Sequence, residues 1–214
     1  NFDAVIWDFG GVITSSPFEA FARYEAANGL PKDFIRSINA TDPDTNAWAR
    51  FERSEIDAAS FDTAFLTEAE ARGHSVRGAD VLALLAGDIR PEMVAVLRFL
   101  ISAGYKIGCI TNNVKTGSGA GMARSVGKAA AVEEVMALFS HVIESSKVGI
   151  RKPDPEIYKM ACTALDVAPA RAVFLDDLGV NLKPARALGM ATIKVTGAQQ
   201  AIAELAELLG HPLD

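Results

Sequence analysis

The sequence predicts an α/β fold: a parallel sheet with helices on both faces, and a block of helices inserted after the first strand. Two observations carry this. From Arg90 to the end, short apolar runs alternate with helical patterns, the signature of a parallel sheet covered by helices. Between the first apolar run and that alternation, residues 17 to 87 read as helical throughout.

The elements follow in order. Val5-Ile6-Trp7 has no polar residue, so both faces of that strand are expected to be buried. Phe18 to Tyr24 carries apolar residues at helical spacing, and Gly29 after Asn28 suits a left-handed cap. Pro31 to Ile35 opens a second short helix, and Asp42 to Asp44 is turn-like. Ser60 to Arg72 is a helix closed by Gly73, and Asp80 to Leu85 is another. Pro91 is a good first helical residue, with Val94, Leu97 and Ile101 on one face. Tyr105 to Ile110 is the second strand, an Ala-rich helix runs from about 120 to 138, and His141 to Glu144 is the third strand. Asp154-Pro155 caps and opens a helix. Strands at 172–175 and 191–195 flank a helix at 182–188, and 198–209 is the last helix.

Composition bounds the functional classes. With 214 residues the chain can bury a full core. A net charge of -6 argues against non-specific nucleic-acid binding. No run reaches the ~18 apolar residues of a membrane span. The two cysteines form no disulfide framework, as expected of a cytoplasmic protein, and Cys109 reads as a packed thiol. No signal peptide is expected, and a start at Asn1 reads as a trimmed end. Nothing in the sequence indicates an oligomeric state.

Three of these strands end in polar clusters. Asp8 follows Val5-Ile6-Trp7, and Gly10 and Gly11 open the backbone beside it. Thr111-Asn112 follows the second strand, and Asp176-Asp177 follows Val173-Phe174-Leu175. In open α/β sheets, ligands bind outside the carboxyl ends of the strands. Three acids gathered at one edge would repel one another without a cation, and oxygen-only ligands suit Mg2+. No His or Cys is placed for a zinc site. Thr111, Asn112 and nearby backbone amides can donate to an anion at a strand-to-helix turn. Lys152, in Arg151-Lys152-Pro153-Asp154-Pro155, can serve as a fixed point charge at a helix start. Taken singly, each cluster has a plain alternative: a helix cap at Asp8 or Asp176, a turn at Thr111-Asn112, a solvated basic surface at Arg151-Lys152.

In their joint order, strand-Asp, strand-Thr-Asn, Lys-Pro-Asp-Pro and strand-Asp-Asp, these pieces resemble the haloacid dehalogenase-like (HAD) superfamily over essentially the whole chain. The stretches 144–155 and 174–183 are most similar to the phosphatases related to the N-terminal domain of soluble epoxide hydrolase. The resemblance implies a doubly wound, Rossmann-like core with strand order 5-4-1-2-3, made of residues 1–14 and 89–214, with a helical cap at 15–88. It implies Asp8 as nucleophile, through an aspartyl-phosphate. It implies Mg2+ held by Asp8, the Gly10 carbonyl and Asp177, with Asp176 close by. Thr111 and Asn112 would bind the phosphoryl group, Lys152 would neutralise it, and Asn181 would orient the acidic loop. The implied partner is a small phosphorylated metabolite.

The pattern breaks at Gly10, where the superfamily's phosphatases carry a second Asp that protonates the leaving oxygen. That help is worth ~10²–10⁴-fold, so slow turnover of alkyl phosphates is expected. Two further readings stay open: a catalytically weak fold that binds a phosphorylated ligand or partner, and a haloacid dehalogenase. The intact Asp176-Asp177 pair speaks against a metal-free dehalogenase. Schiff-base chemistry would need a cap lysine, and Lys32 stands in a turn-like setting. Phe18, Trp48, Arg50 and Phe51 are cap residues within possible reach of a substrate, and packing is the expected role of the aromatics. His74, His141 and His211 stand alone and receive no catalytic role.

Overall fold

The structure, a computed structural model, describes residues 1–113 and 126–213. The part of the predicted Ala-rich helix that falls on residues 120–125 lies outside the described residues. Strands β1 (Ala4–Trp7), β2 (Lys106–Thr111), β3 (His141–Glu144), β4 (Ala172–Asp176) and β5 (Ala191–Lys194) form one sheet. The order is β3-β2-β1-β4-β5, and every pairing is parallel. This is the doubly wound order 5-4-1-2-3 that the resemblance implies.

β1 lies at the centre, which explains its unbroken apolar run: all four of its residues are fully buried. Side chains alternate across a strand, so Val5 and Trp7 enter one apolar cluster while Ala4 and Ile6 enter another. Register then decides which residues meet at the carboxyl edge. Trp7 pairs with Leu175 on β4 and with Cys109 on β2. One residue further on, Asp8 stands beside Asp176, with Thr111 just beyond on β2.

Helices α1 (Pro17–Ala27), α2 (Phe34–Asn39), α3 (Ala47–Glu52), α4 (Ala58–Glu70) and α5 (Gly78–Ala83) form the block after β1. Its apolar cluster draws only on residues 18 to 85, with Phe51 and Phe61 stacked at 4.7 Å. The segments leading in and out run side by side. Thr14 bridges Ile89 in antiparallel fashion, Ser15 N–H donates to the Asp88 carbonyl at 2.8 Å, and Arg90 N–H donates to the Ile13 carbonyl at 2.8 Å. Glu25, buried in α1, accepts from the N–H groups of Asp33 and Ile35 and so fixes the start of α2. Gly29 has a φ of 64°, the left-handed conformation expected after α1.

Among the described residues, α6 (Pro91–Ser102), α7 (Val126–Met136), α8 (Ser145–Val148), α9 (Pro155–Ala164), α10 (Gly179–Ala187) and α11 (Ala198–Leu209) complete the core. α6, α7 and α11 pack on the Val5/Trp7 side of the sheet, and α9 and α10 on the Ala4/Ile6 side. The Asp154 side chain accepts from Glu156 N–H at 2.9 Å, as its predicted capping role requires.

One predicted face is corrected. α6 buries Met93, Val96, Leu97 and Leu100, while Ile101 is 39% exposed. The true stripe runs i, i+3, i+4, i+7 from Met93, one residue before the predicted one. Two short helices, α3 and α8, are not resolved individually in the sequence: six and four residues are too few to display an amphipathic period. The start of α3 is set locally by its N-cap, Asn46, whose Oδ1 accepts from Ala49 N–H, and by one tertiary contact, Glu68 Oε1 accepting from Ala47 N–H, both at 2.8 Å.

Candidate active site

Asp8 follows the last residue of β1 and remains tied to the sheet, its N–H donating to the Leu175 carbonyl at 2.8 Å. Phe9 N–H donates to Asp8 Oδ1 at 2.7 Å. The chain then turns tightly, with the N–H groups of Val12, Ile13 and Thr14 all directed at the Phe9 carbonyl. Carboxylate oxygens of Asp8, Asp176 and Asp177 lie within 4.8 Å of one another. The parallel register of β1 and β4 thus brings the three acids together.

Lys152 is 1% exposed, and its ammonium bridges two of these acids. Nζ lies 2.8 Å from Asp8 Oδ1 and 2.7 Å from Asp176 Oδ2. Burial opposes the charge on Lys152, but Asp176 and Asp8 outweigh it and hold its pKa above the ordinary value. Asp176 is fully buried and fully engaged: it also accepts from Asn181 Nδ2 at 3.0 and 3.1 Å and from Leu178 N–H at 2.8 Å. Asn181 is in turn anchored through its carbonyl, which accepts from the Tyr158 hydroxyl at 2.6 Å.

The balance of charge at this edge is negative. Burial pushes the Asp177 carboxyl up to about 6, with Asp176 adding to the rise and Lys152 opposing it. Burial also holds Asp8 well above the usual carboxylate range; Lys152 pulls it down, and Asp176 and Asp177 push it up. Three crowded carboxylates against one bridging ammonium are a donor set that fits a hard divalent cation bound through oxygen. Asp8, Asp177 and the Gly10 carbonyl are the groups that could hold it, with Asp176 nearer to Lys152.

Thr111 closes β2 and is 8% exposed; among the described residues its hydroxyl has no hydrogen-bond partner. Asn112 is placed differently from the simple expectation of an amide aimed at an anion. Its Oδ1 accepts from Lys152 N–H at 2.8 Å and its Nδ2 donates to the Lys152 carbonyl at 3.0 Å. The side chain therefore clamps the lysine segment, and its backbone N–H is the donor left to consider for a phosphoryl oxygen. Of the residues singled out in the helical block, Phe51 and Trp48 both pack on Phe61, while Arg50 is exposed.

The structure sharpens the reading of the paired glycines and adds two supporting residues. Gly11 has a φ of +77°, and a Cβ there would stand 2.3 Å from Asp177 Oδ2. Two glycines in a row were the available signal, but only one is required by contact: a Cβ on Gly10 would meet nothing within 4 Å. Tyr158 and Asn113 also support the site indirectly. Asn113 Oδ1 accepts from Ser146 N–H at 3.3 Å and its Nδ2 donates to Glu144 at 2.7 Å. Neither residue has a local sequence signature.

Fold and acidic edge together define the class: a Rossmann-like hydrolase with its acids at the carboxyl edge of a doubly wound sheet. The chain belongs to the haloacid dehalogenase-like hydrolases, whose family model matches residues 2–189. It is 34% identical over 222 residues to acyl-CoA dehydrogenase family member 10 of Mus musculus and 32% identical over 222 residues to bifunctional epoxide hydrolase 2 of Sus scrofa. Those matches cover 100% and 98% of this chain, yet it spans only 20% and 39% of the two relatives. It is also 27% identical over 216 residues to the sesquiterpene phosphatase astK of Aspergillus oryzae, covering 98% of both. Among solved structures, the HAD family enzyme bt-2542 from Bacteroides thetaiotaomicron, in complex with magnesium and inorganic phosphate, matches with a TM-score of 0.62 at 20% identity. That match covers 96% of this chain and 99% of the other, and it establishes the fold. Among the described residues, no helix is long and apolar enough to cross a membrane.

Proposed function

We propose that this chain is a Mg2+-dependent phosphatase acting on a small phosphate ester or anhydride, with residues 15–88 as the cap over its site. The observation that carries the reading is the cluster of Asp8, Asp176 and Asp177 within 4.8 Å, bridged by Lys152. The phosphatase similarity and the magnesium and phosphate in the structural relative support it.

Asp8 acts as the nucleophile. Its oxygen bonds to phosphorus as the bond from phosphorus to the leaving oxygen breaks, giving an aspartyl-phosphate that water hydrolyses. Lys152, held by Asp176 and by the Asn112 clamp, places a fixed positive charge against the transferring phosphoryl. The Thr111 hydroxyl and the Asn112 N–H donate to its oxygens. Asn181 keeps Asp176 aimed at Lys152. Mg2+, held by Asp8, Asp177 and the Gly10 carbonyl, with Asp176 beside them, would supply charge neutralisation at the phosphoryl group. The work is positioning and electrostatics, as phosphoryl transfer demands.

Gly10 sets the substrate range. No carboxyl stands there to protonate the leaving oxygen, so aryl and acyl phosphates, whose leaving groups depart as stable anions, are turned over faster than alkyl phosphates. The same absence favours, as a second reading, a protein that binds a phosphorylated ligand with little turnover. Hydrolysis of an aryl or acyl phosphate, dependent on Mg2+ and lost in Asp8→Asn, tests the first reading. Retained phosphate-ester binding without turnover across a broad panel would establish the second. Metal-free chloride release from a 2-haloacid would overturn both.

A further inference from the structure

Arg151 ties the helical block to the segment that carries Lys152. Its Nε lies 2.5 Å from Glu52 Oε2 at the end of α3, and its Nη1 donates to the Pro43 carbonyl at 2.8 Å, in the loop before α3. The two charged atoms, Nε and Oε2, are buried, and among the described residues neither has a hydrogen-bond partner; their contact is ionic and falls short of hydrogen-bond alignment. Neutral contacts surround it. Ser145 Oγ donates to the carbonyls of Glu52 and Asn113 at 3.0 and 3.1 Å, and Ser54 Oγ to the Ser146 carbonyl at 2.9 Å. So α3 rests on α8 and on the chain that leads from it to Lys152.

A buried ion pair adds little net stability, because removing both charges from water offsets their attraction. As a simple staple the pair is poorly explained. Its position explains it better. Arg151 immediately precedes Lys152, whose N–H and carbonyl are held by Asn112 and whose ammonium lies between Asp8 and Asp176. Asn112 belongs to the sheet edge, whereas Glu52 and Pro43 belong to the block. The lysine segment is therefore held from two bodies at once.

We propose that Glu52 and Arg151 are positioning residues that make the aim of the Lys152 ammonium depend on the seating of the helical block. With the block seated, Arg151 is pinned and Lys152 stands ready for a phosphoryl group. With the block displaced, Arg151 loses both partners and the segment is ordered only from the core, by Asn112 and by the acids at the lysine's ammonium. Neither Glu52 nor Arg151 touches the reacting atoms. The consequence for turnover rests on the phosphatase reading, while the coupling itself rests on these contacts.

A double-mutant cycle tests it, using Glu52→Gln, Arg151→Met and the pair together. Two readouts are taken on folded protein: orthophosphate binding by calorimetry with Mg2+ present, and turnover of p-nitrophenyl phosphate. Each single variant is expected to weaken orthophosphate binding about tenfold and to lower kcat by a similar factor, within the range typical of coupling between sites. The double variant is expected to be no worse than the poorer single one. Arg151→Lys keeps the charge but cannot reach both Glu52 and the Pro43 carbonyl; it is expected to show a smaller loss and serves in place of any variant that fails to fold. Single variants within twofold of wild type in both readouts, or effects that multiply in the double variant, overturn the inference while leaving the phosphatase reading standing. Coupled loss of orthophosphate binding in a wild type that turns nothing over supports the inference and removes the phosphatase reading. A wild type that neither binds orthophosphate nor turns over substrate overturns both.

Discussion

The Lys152 ammonium lies 2.8 Å from Asp8 and also 2.7 Å from Asp176, so one buried cation is shared by two acids on adjacent strands. Removing the ammonium from such a group leaves the acids buried and uncompensated, at a cost of about 3–5 kcal/mol. Lys152→Met is therefore expected to lose about that much stability in EDTA, measured by urea unfolding, and to recover part of it when Mg2+ is added. A loss below about 1 kcal/mol would mean that the acids are already neutral without Lys152.

Asp8 is expected to trade stability for chemistry. Burial and its acidic neighbours raise its pKa, so its ionised form works against folding at neutral pH. Asp8→Asn should abolish turnover and, without Mg2+, raise the unfolding temperature by about 2–4 °C for each kcal/mol recovered. A lower melting temperature at pH 7 would show that the bond to Lys152 dominates instead.

Adjacent glycines should respond in opposite ways. A Cβ at Gly10 meets nothing within 4 Å, so Gly10→Asp is expected to fold normally and to raise alkyl phosphate turnover by up to ~10²–10⁴-fold. An unchanged rate would mean that another group already supplies the proton. At Gly11, φ is +77° and a Cβ would stand 2.3 Å from Asp177 Oδ2. Gly11→Ala is expected to displace Asp177 and to weaken Mg2+ binding, read by calorimetry, with a stability loss of about 1–3 kcal/mol. Wild-type Mg2+ affinity in Gly11→Ala would exclude Asp177 from the metal's ligands.

Glu52 gives the stability of the protein a predictable slope with pH. Burial pushes its carboxyl from 4.5 up to about 7, with the Arg151 and Lys152 charges partly offsetting the rise. Arg53 is a further cation that senses its charge. The folded state thus holds this proton more tightly than the unfolded chain does. Below about pH 4.5 Glu52 is protonated in both states and contributes nothing to the slope. Between 4.5 and 7 the unfolded chain ionises first, so this group lowers stability as pH rises. Above 7 the penalty is complete, about 3 kcal/mol at 1.36 kcal/mol per pKa unit. Comparing Glu52→Gln with wild type by urea unfolding at pH 5 and pH 8, the difference should move toward the variant by up to that amount. A difference that does not change with pH would contradict the raised pKa.

Much of the fold could be read from the sequence because its signals are local. The unbroken apolar run at Val5-Ile6-Trp7 predicted a strand buried on both faces, and β1 is so buried. Asp154-Pro155 predicted a helix start, and the cap bond is present. The α6 stripe was misplaced by one residue because Met93, Val94, Val96, Leu97, Leu100 and Ile101 allow two overlapping apolar faces, and only packing on the sheet selects one.

The sequence by itself determined that acids stand at the ends of strands, in an order that a parallel sheet brings to one edge. Strand period, turn chemistry and the alternation of elements act over a few residues, so one chain suffices to read them. Tertiary structure alone decided how the polar groups are spent. It turned the Asn112 amide onto the Lys152 backbone, laid Asp177 against Gly11, and set Glu52 of α3 against Arg151. Those choices depend on distances between residues remote in sequence, and such distances are fixed only when the strands, their loops and the helical block have packed.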